Sequence, residues 1–380
     1  METSCDETAI ALLSTTRADD GSFSGDILSH KIQSQIEVHR AYGGVYPNMA
    51  KREHIKNILP ILRETLETLE ELDDFYGPTI TLTDEQKEYV KTTLAHEEGF
   101  APMIIEFIES TPKPMLSHIA VTVGPGLNPA LWVGVNTAKV LGTIWNIPVV
   151  PVNHMIGHML SVNSTGTTFT LATPELPQLA LLVSGGHTEF IYTTADRRTK
   201  LGATVDDALG ESFDKVARML GLPYPGGPEI EKLATIYMNN NGEPKAELFP
   251  RSMTHTPDFN VSYSGLKTSV KYHLEKHPNA DPGLIAYEFS EAAFDTVLNK
   301  LAKIFSAHEV NSLVVAGGVA ASTRLRQKIQ KFIDEFYPGL SVTFPEKLLA
   351  TDNAVMIGIA SLLNEPIEPN TLTAQGNLSI

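Results

Sequence analysis

The sequence predicts an α/β protein of two domains, and three observations carry that prediction. Short β-branched apolar runs alternate with helix-period segments, several of those runs end at glycine turns, and 380 residues with 42% hydrophobic content exceed one domain of ordinary size. Residues 32–72 read as mostly helical, with a turn at Tyr42-Gly43-Gly44. From Ile55 the apolar positions Ile55, Leu59, Leu62, Leu66, Leu69 and Leu72 recur every three or four residues, while Glu64 and Glu67 fall on the opposite face. That stripe predicts a core helix, kinked or begun near Pro60. Residues 84–110 read as two helices around Gly99, stopped by Pro112 and Pro114.

The period then changes. Residues 118–123 predict a strand, Gly124-Pro125-Gly126 a turn and residues 129–145 a helix, which is the repeating unit of an α/β fold. Residues 147–152, 179–183, 189–192 and 312–316 predict further strands of a buried sheet. Residues 161–178, rich in Ser, Thr and Pro, predict a surface loop.

Composition excludes several classes. With 29 Lys+Arg against 45 Asp+Glu the net charge is −16, so a polyanion has to be met by a local basic patch rather than by the whole surface. One cysteine, Cys5, excludes a disulfide framework and a Cys-rich zinc site. The most apolar stretch, residues 140–152, is broken by Gly142, Asn146, Pro148 and Pro151, and falls short of the roughly 20 residues that a bilayer requires. No membrane association is expected. Met1 is followed at once by Glu2, Asp6 and Glu7, which is not the start of a leader peptide.

Three Gly-Gly turns have a composition that suits a phosphate. Leu182, Val183 and Ser184 lead into Gly185 and Gly186; a second apolar run ends at Gly317 and Gly318; Gly226 and Gly227 form the third. Residues without Cβ let backbone N–H groups close on an anion, and the helix after Gly318 adds its N-terminus. One such turn alone reads as a hairpin; three together read as a nucleotide cradle. Asp214 and Glu231 lie near these turns and suit ribose hydroxyls, although spacing alone reads them as solvated helix positions.

His154 and His158 stand at i and i+4, adjacent on one helix face, with helix-weakening Gly157 between them. Such a pair is either two hydrogen-bonded core histidines or two ligands of one divalent ion, and spacing does not separate the two. The zinc-peptidase pattern needs Glu directly after the first His; Met155 stands there, which argues against peptidase chemistry. Asp352 is the candidate third ligand, with capping of the apolar helix that follows as its other role. Two His and a carboxylate leave coordination positions open and suit zinc or iron.

Residues 1–8, Tyr42-Gly43-Gly44-Val45, Arg52-Glu53-His54, Val123-Gly124-Pro125-Gly126, the histidine pair and residues 184–188 recur in order with residues 208–215, 224–228, 259–267, 317–320 and 351–353. Together they resemble the tRNA N6-adenosine threonylcarbamoyltransferase family. Leu182 and His187 resemble its bacterial and mitochondrial branch. Two departures stand out: few residues precede the Glu2-Thr3-Ser4 motif, so that the first strand is expected to be truncated or a leader cut, and Ser322 stands where many relatives have Asn.

The resemblance implies an actin-like fold of the sugar kinase and chaperone ATPase kind, with a mixed sheet in each of two lobes, 1–153 plus 353–380 and 154–352, and a nucleotide cleft between them. It implies one divalent metal ion on His154, His158 and Asp352. It implies that Leu182, Val183, Ser184, Gly185, Gly186, Asp214, Gly227 and Glu231 line a site for AMP, ATP or threonylcarbamoyl-AMP, with Gly317, Gly318 and Ser322 beside the phosphate. The implied reaction moves a threonylcarbamoyl group from its mixed anhydride with AMP to N6 of the adenosine 3′ of the anticodon, in tRNAs reading codons that start with A. Asp6 and Glu7 are candidates for the general base, a solvated terminus being their other reading. The implied partners are tRNA, a separate synthetase that supplies the adenylate, and a second copy in a homodimer. The compartment expected is the mitochondrial matrix, with bacterial cytoplasm as the alternative. Two other readings use the same fold: an ATP-dependent phosphotransferase or ATPase, which would not need the histidine pair, and a non-catalytic nucleotide-binding assembly subunit.

Overall fold

The computed structural model describes residues 1–71, 76–242, 244 and 247–380, and Leu72 of the expected helical stripe lies outside them. Two compact α/β units form. The first comprises Met1–Glu37, Val45–Ala172 and Asp352–Ile380; the second comprises Val38–Gly44 and Thr173–Thr351.

In the first unit the strand Glu7–Leu13 pairs antiparallel with the long strand Phe23–Ser34, whose start pairs with Thr168–Leu171. Ile119–Gly124 and Val149–Asn153 form a separate parallel pair joined by the helix Asn128–Trp145, which is the strand, turn, helix unit predicted from the sequence. Residues 1 and 2 stitch the two sheets together. Met1 N donates to Ala120 O at 2.8 Å and Thr122 N donates to Met1 O at 3.2 Å, while Glu2 and Ala9 exchange backbone bonds on the other side. The helix Pro47–Glu67 buries Leu59, Leu62 and Leu66 of the predicted stripe, with Ile58 beside them and Ile55 only partly covered.

Three expectations change here. Residues 32–34 are strand rather than helix, because Ile32 and Gln33 pair with Ala9 and Thr8. The core helix begins at Pro47, and Pro60 sits exposed inside it without ending it. Residues 161–178 are not all loop: Ser164–Thr165 and Thr168–Leu171 form a hairpin that buries Phe169 and Leu171 and extends the sheet. This hairpin and the helix His154–Leu160 carry the first unit past residue 153 to Ala172, and Asp352 belongs to it as well. No helix among the described residues is long and apolar enough to cross a membrane.

The second unit is built on one mixed sheet. Its order is Arg198–Ala203, Thr188–Thr193, Gln178–Val183, Ser312–Ala316, Ser341–Thr343. The first three strands are antiparallel, and Ser312–Ala316 runs parallel to both its neighbours. Gln178–Val183 and Ser312–Ala316 are covered on both faces and accordingly read as near-continuous apolar runs. Their cover includes the helices Leu209–Met219 and Pro282–Ala307, where Phe213 meets Phe289 edge-on at 4.8 Å and stacks on Phe294 at 5.6 Å.

Candidate functional site

Asn153 ends its strand and caps the helix His154–Leu160, its side chain accepting from Met155 N at 2.9 Å and Ile156 N at 3.4 Å. The cap starts the helix at His154, so His154 and His158 share a face. Gly157 lets the helix Ala354–Ser361 come close, since a Cβ there would lie 2.9 Å from Ile357 Cδ1. That second helix is capped by Asn353, which accepts from Met356 N at 2.9 Å. The capping role considered for Asp352 therefore belongs to its neighbour, and the Asp352 carboxylate turns to the histidines instead.

Asp352 Oδ1 lies 3.4 Å from His154 Nε2 and 3.1 Å from His158 Nε2. One donor atom from each of the three side chains falls within 4.8 Å of the others. Ligands about 2.1 Å from a common cation stand roughly 3.0–3.4 Å apart along the edges of its coordination polyhedron, so the two short separations match one shell. His158 gives an independent test. It is fully buried, and neither ring nitrogen has a hydrogen-bond partner among the described residues. Buried orphan nitrogens cost stability unless something else fills them, and a cation on Nε2 would do so. The donor set thus fits zinc or iron.

Electrostatics point the same way. Burial alone would raise the Asp352 carboxyl, but the charge of His154 and the nearness of both imidazoles hold it far below the usual range. Burial would lower His154, yet Asp352 and Glu2 outweigh it and hold the ring well above its ordinary value. His158 is pushed down by burial and by the His154 charge. Positive charge is therefore favoured at the centre of this group.

The segment before the first strand is ordered rather than a solvated terminus. His54 accepts at Nδ1 from Thr8 Oγ1 at 2.8 Å and Gln35 Nε2 at 3.2 Å, and its Nε2 donates to Cys5 O at 3.0 Å. Asp6 is buried, and Glu7 opens the strand. Burial, then the charges of Asp6 and Asp352, push the Glu7 carboxyl well above its normal value. Burial and the neighbouring carboxylates push the Cys5 thiol up as well.

In the second unit the glycine turns are linked. Gly210 N donates to Ser184 O at 3.2 Å, and a Cβ on Gly210 would lie 2.9 Å from Gly185 Cα. Gly317, at φ +95°, approaches so closely that a Cβ would sit 2.5 Å from Val183 O. Gly185, Gly186 and Gly227 have no atoms within 4 Å of where a Cβ would stand, and Gly318 meets only Thr351 at that limit. Leu182 and Val183 are buried strand residues. Asp214 Oδ1 accepts from Gly226 N at 2.7 Å, Glu231 Oε1 from Arg324 N at 3.0 Å, and Ser322 Oγ from Leu325 N at 3.1 Å. These three side chains therefore already serve helix starts, a role that sequence reading gave to none of them.

Glu2 was missed. It is fully buried and bonded to His154, and its only sequence signal was its place beside Thr3 and Ser4 in the opening motif. Several basic residues that a polyanion patch could draw on are held by acidic neighbours. Lys267 binds Asp207, Lys200 binds Glu189, and Arg324 and Lys328 share Glu291.

A family profile described as tRNA N6-adenosine threonylcarbamoyltransferase matches residues 26–73 and 90–359. Proteins of that name are 37% identical to this chain. They include one from Geotalea uraniireducens (strain Rf4), over 94% of this chain and 88% of the relative. Another, from Kosmotoga olearia, aligns over 98% and 96%. A third, from Thermosipho africanus (strain TCF52B), aligns over 100% and 98%. The actin-like α/β class expected from the motifs is that of this family, and the two α/β units agree with it. The chain belongs to the tRNA N6-adenosine threonylcarbamoyltransferase family.

Proposed function

We propose that this enzyme transfers the threonylcarbamoyl group from threonylcarbamoyl-AMP to N6 of the adenosine 3′ of the anticodon, using a divalent ion held by His154 Nε2, His158 Nε2 and Asp352 Oδ1. The observation that carries the reading is the meeting of these three donors around an orphaned, fully buried His158, in a chain of this family.

An exocyclic amine on a purine is a weak nucleophile, so positioning and charge stabilisation must supply most of the rate. A zinc or iron ion bound at the triad supplies Lewis-acid charge to the threonylcarbamoyl moiety. The chain's own residues do the rest. Backbone N–H groups at Gly185, Gly186, Gly317 and Gly318 bind the AMP phosphate, with Ser184 and Ser322 beside them. Asp214, Gly227 and Glu231 hold the nucleoside while keeping their helix starts in place. In the Asp6–Glu7 pair, where burial and the charge of Asp6 push the Glu7 carboxyl up, the carboxylate that is deprotonated receives the proton that N6 loses.

The adenylate comes from a separate synthetase. The bacterial sources of the relatives support a bacterial cytoplasm, or a mitochondrial matrix of the same descent, as the compartment. The exposed Arg52 on the helix Pro47–Glu67 is the first basic side chain to be tried for tRNA contact.

The test mixes purified protein with unmodified tRNA, threonine, bicarbonate, ATP and an adenylate-forming synthetase, then digests the tRNA to nucleosides. The reading expects threonylcarbamoyladenosine that disappears when His154 or His158 is replaced by Ala. Product that persists undiminished in both variants would contradict the proposed site.

A further inference from the structure

We propose that Glu2 is the positioning residue of this centre: by accepting the Nδ1–H of His154 it fixes the ring's tautomer and aim, so that the Nε2 lone pair faces His158 and Asp352. The proposal rests on the metal reading above and adds to it a residue outside the ligand set.

The carboxylate of Glu2 is fully buried and each of its oxygens is engaged. Oε1 accepts from Ser4 N at 2.5 Å, and Oε2 accepts from Thr122 Oγ1 at 2.6 Å. Oε2 also lies 3.0 Å from His154 Nδ1. A carboxylate already oriented by two donors offers acceptor lone pairs only, so the hydrogen between Glu2 and His154 belongs to the ring. Nδ1 is then an N–H donor whatever the ring's charge, and Nε2, on the far side, is the nitrogen that gives up its proton to offer a cation its lone pair. Ser4 Oγ, 3.2 Å from the same Nδ1, completes the clasp.

His158 lacks any such partner, since its Nδ1 is buried and unbonded. Of the two rings, only His154 has its orientation set from behind. Without Glu2, His154 can exchange tautomers and rotate its ring, and Nε2 loses its fixed aim. Thr122 acts one step further back, holding the carboxylate by a single hydroxyl. It sits on the strand Ile119–Gly124, so the clasp is anchored in a buried sheet.

The test uses the full-length, metal-free protein. Zn²⁺ and Co²⁺ are titrated against a chromophoric chelator, the visible spectrum of the cobalt form is recorded, and folding of each metal-free variant is checked by circular dichroism and melting temperature. Wild type should bind one ion per chain, and His158→Ala should abolish that binding; a wild type that binds none would refute the metal reading and this proposal together. Given binding, Glu2→Ala should bind about 10–100-fold more weakly with an altered cobalt spectrum, the range for an outer-shell partner of a metal-bound histidine. Glu2→Gln, which keeps one oxygen acceptor, should recover part of the loss. Thr122→Val removes only the orienting hydroxyl and should show a smaller loss with the same spectral trend, which keeps the test open if the Glu2 variants do not fold. Folded variants that bind as tightly as wild type, with an unchanged cobalt spectrum, would overturn the positioning role while leaving the metal reading intact.

Discussion

His158 Nε2 lies 3.1 Å from Asp352 Oδ1, yet the two make no hydrogen bond, and the imidazole is sealed from solvent with both nitrogens unmatched. A packed interior rarely tolerates that arrangement unless a third body belongs between the two groups.

Replacing either partner should therefore act first on ion binding. Asp352→Asn removes the anionic ligand, and chelator competition is expected to show a loss beyond the roughly 10–100-fold typical of outer-shell changes. Nucleoside analysis should show transfer falling in parallel. If Asp352→Asn binds zinc like wild type, Asp352 is not a ligand.

Gly157 should resist enlargement. A Cβ there lies 2.9 Å from Ile357 Cδ1 and 3.2 Å from Met356 Cγ, so Gly157→Val overpacks the contact between the two helices. A loss of about 1–3 kcal/mol is expected in denaturant titration. A stabilised Gly157→Val protein would mean that helix propensity outweighs the packing seen here.

His30 gives a pH signature. Its ring is largely buried, its Nε2 has no partner among the described residues, and burial, with a smaller contribution from the terminal ammonium, lowers its pKa to about 4 from 6.5. The folded state thus binds fewer protons than the unfolded state between those values. This group's part of the stability is whole above pH 6.5 and declines as pH falls through 6.5 toward 4, by at most about 3 kcal/mol. His30→Gln should flatten the fall of melting temperature between pH 7 and 4. An unchanged slope would show that other groups cause it.

Glu231 should affect stability as well as ligand. Its Oε1 caps the backbone N–H of Arg324 at the start of the helix Thr323–Phe336. Glu231→Ala is expected to cost about 0.5–2 kcal/mol by thermal melting, in the range of a lost helix cap. It should also raise the KM for the adenylate. A variant altered in neither would sever Glu231 from both roles.

The sequence carried the architecture well where one element is buried on a regular period. The stripe from Ile55 to Leu69 was legible because every third or fourth side chain faces a core, and the strands 179–183 and 312–316 because every side chain does. The strand Phe23–Ser34 was not, because its exposed polar residues, Ser24, Asp26, Lys31 and Gln33 among them, dilute the apolar signal of a strand with one wet face. In the site, the i, i+4 histidines were visible as a local spacing. The cap, by contrast, was misassigned by one residue, since Asp352 and Asn353 are both good caps and only the backbone decides between them. Glu2 was visible only as part of the opening motif and its role was not: its partner is 152 positions away, and no local pattern encodes such a meeting.

The most direct measurement is an anomalous-scattering map of crystals grown from zinc- or iron-loaded protein. The account predicts one peak about 2.0–2.2 Å from His154 Nε2, His158 Nε2 and Asp352 Oδ1 together. A peak ligated by other residues, with these three side chains turned away from it, would contradict the account.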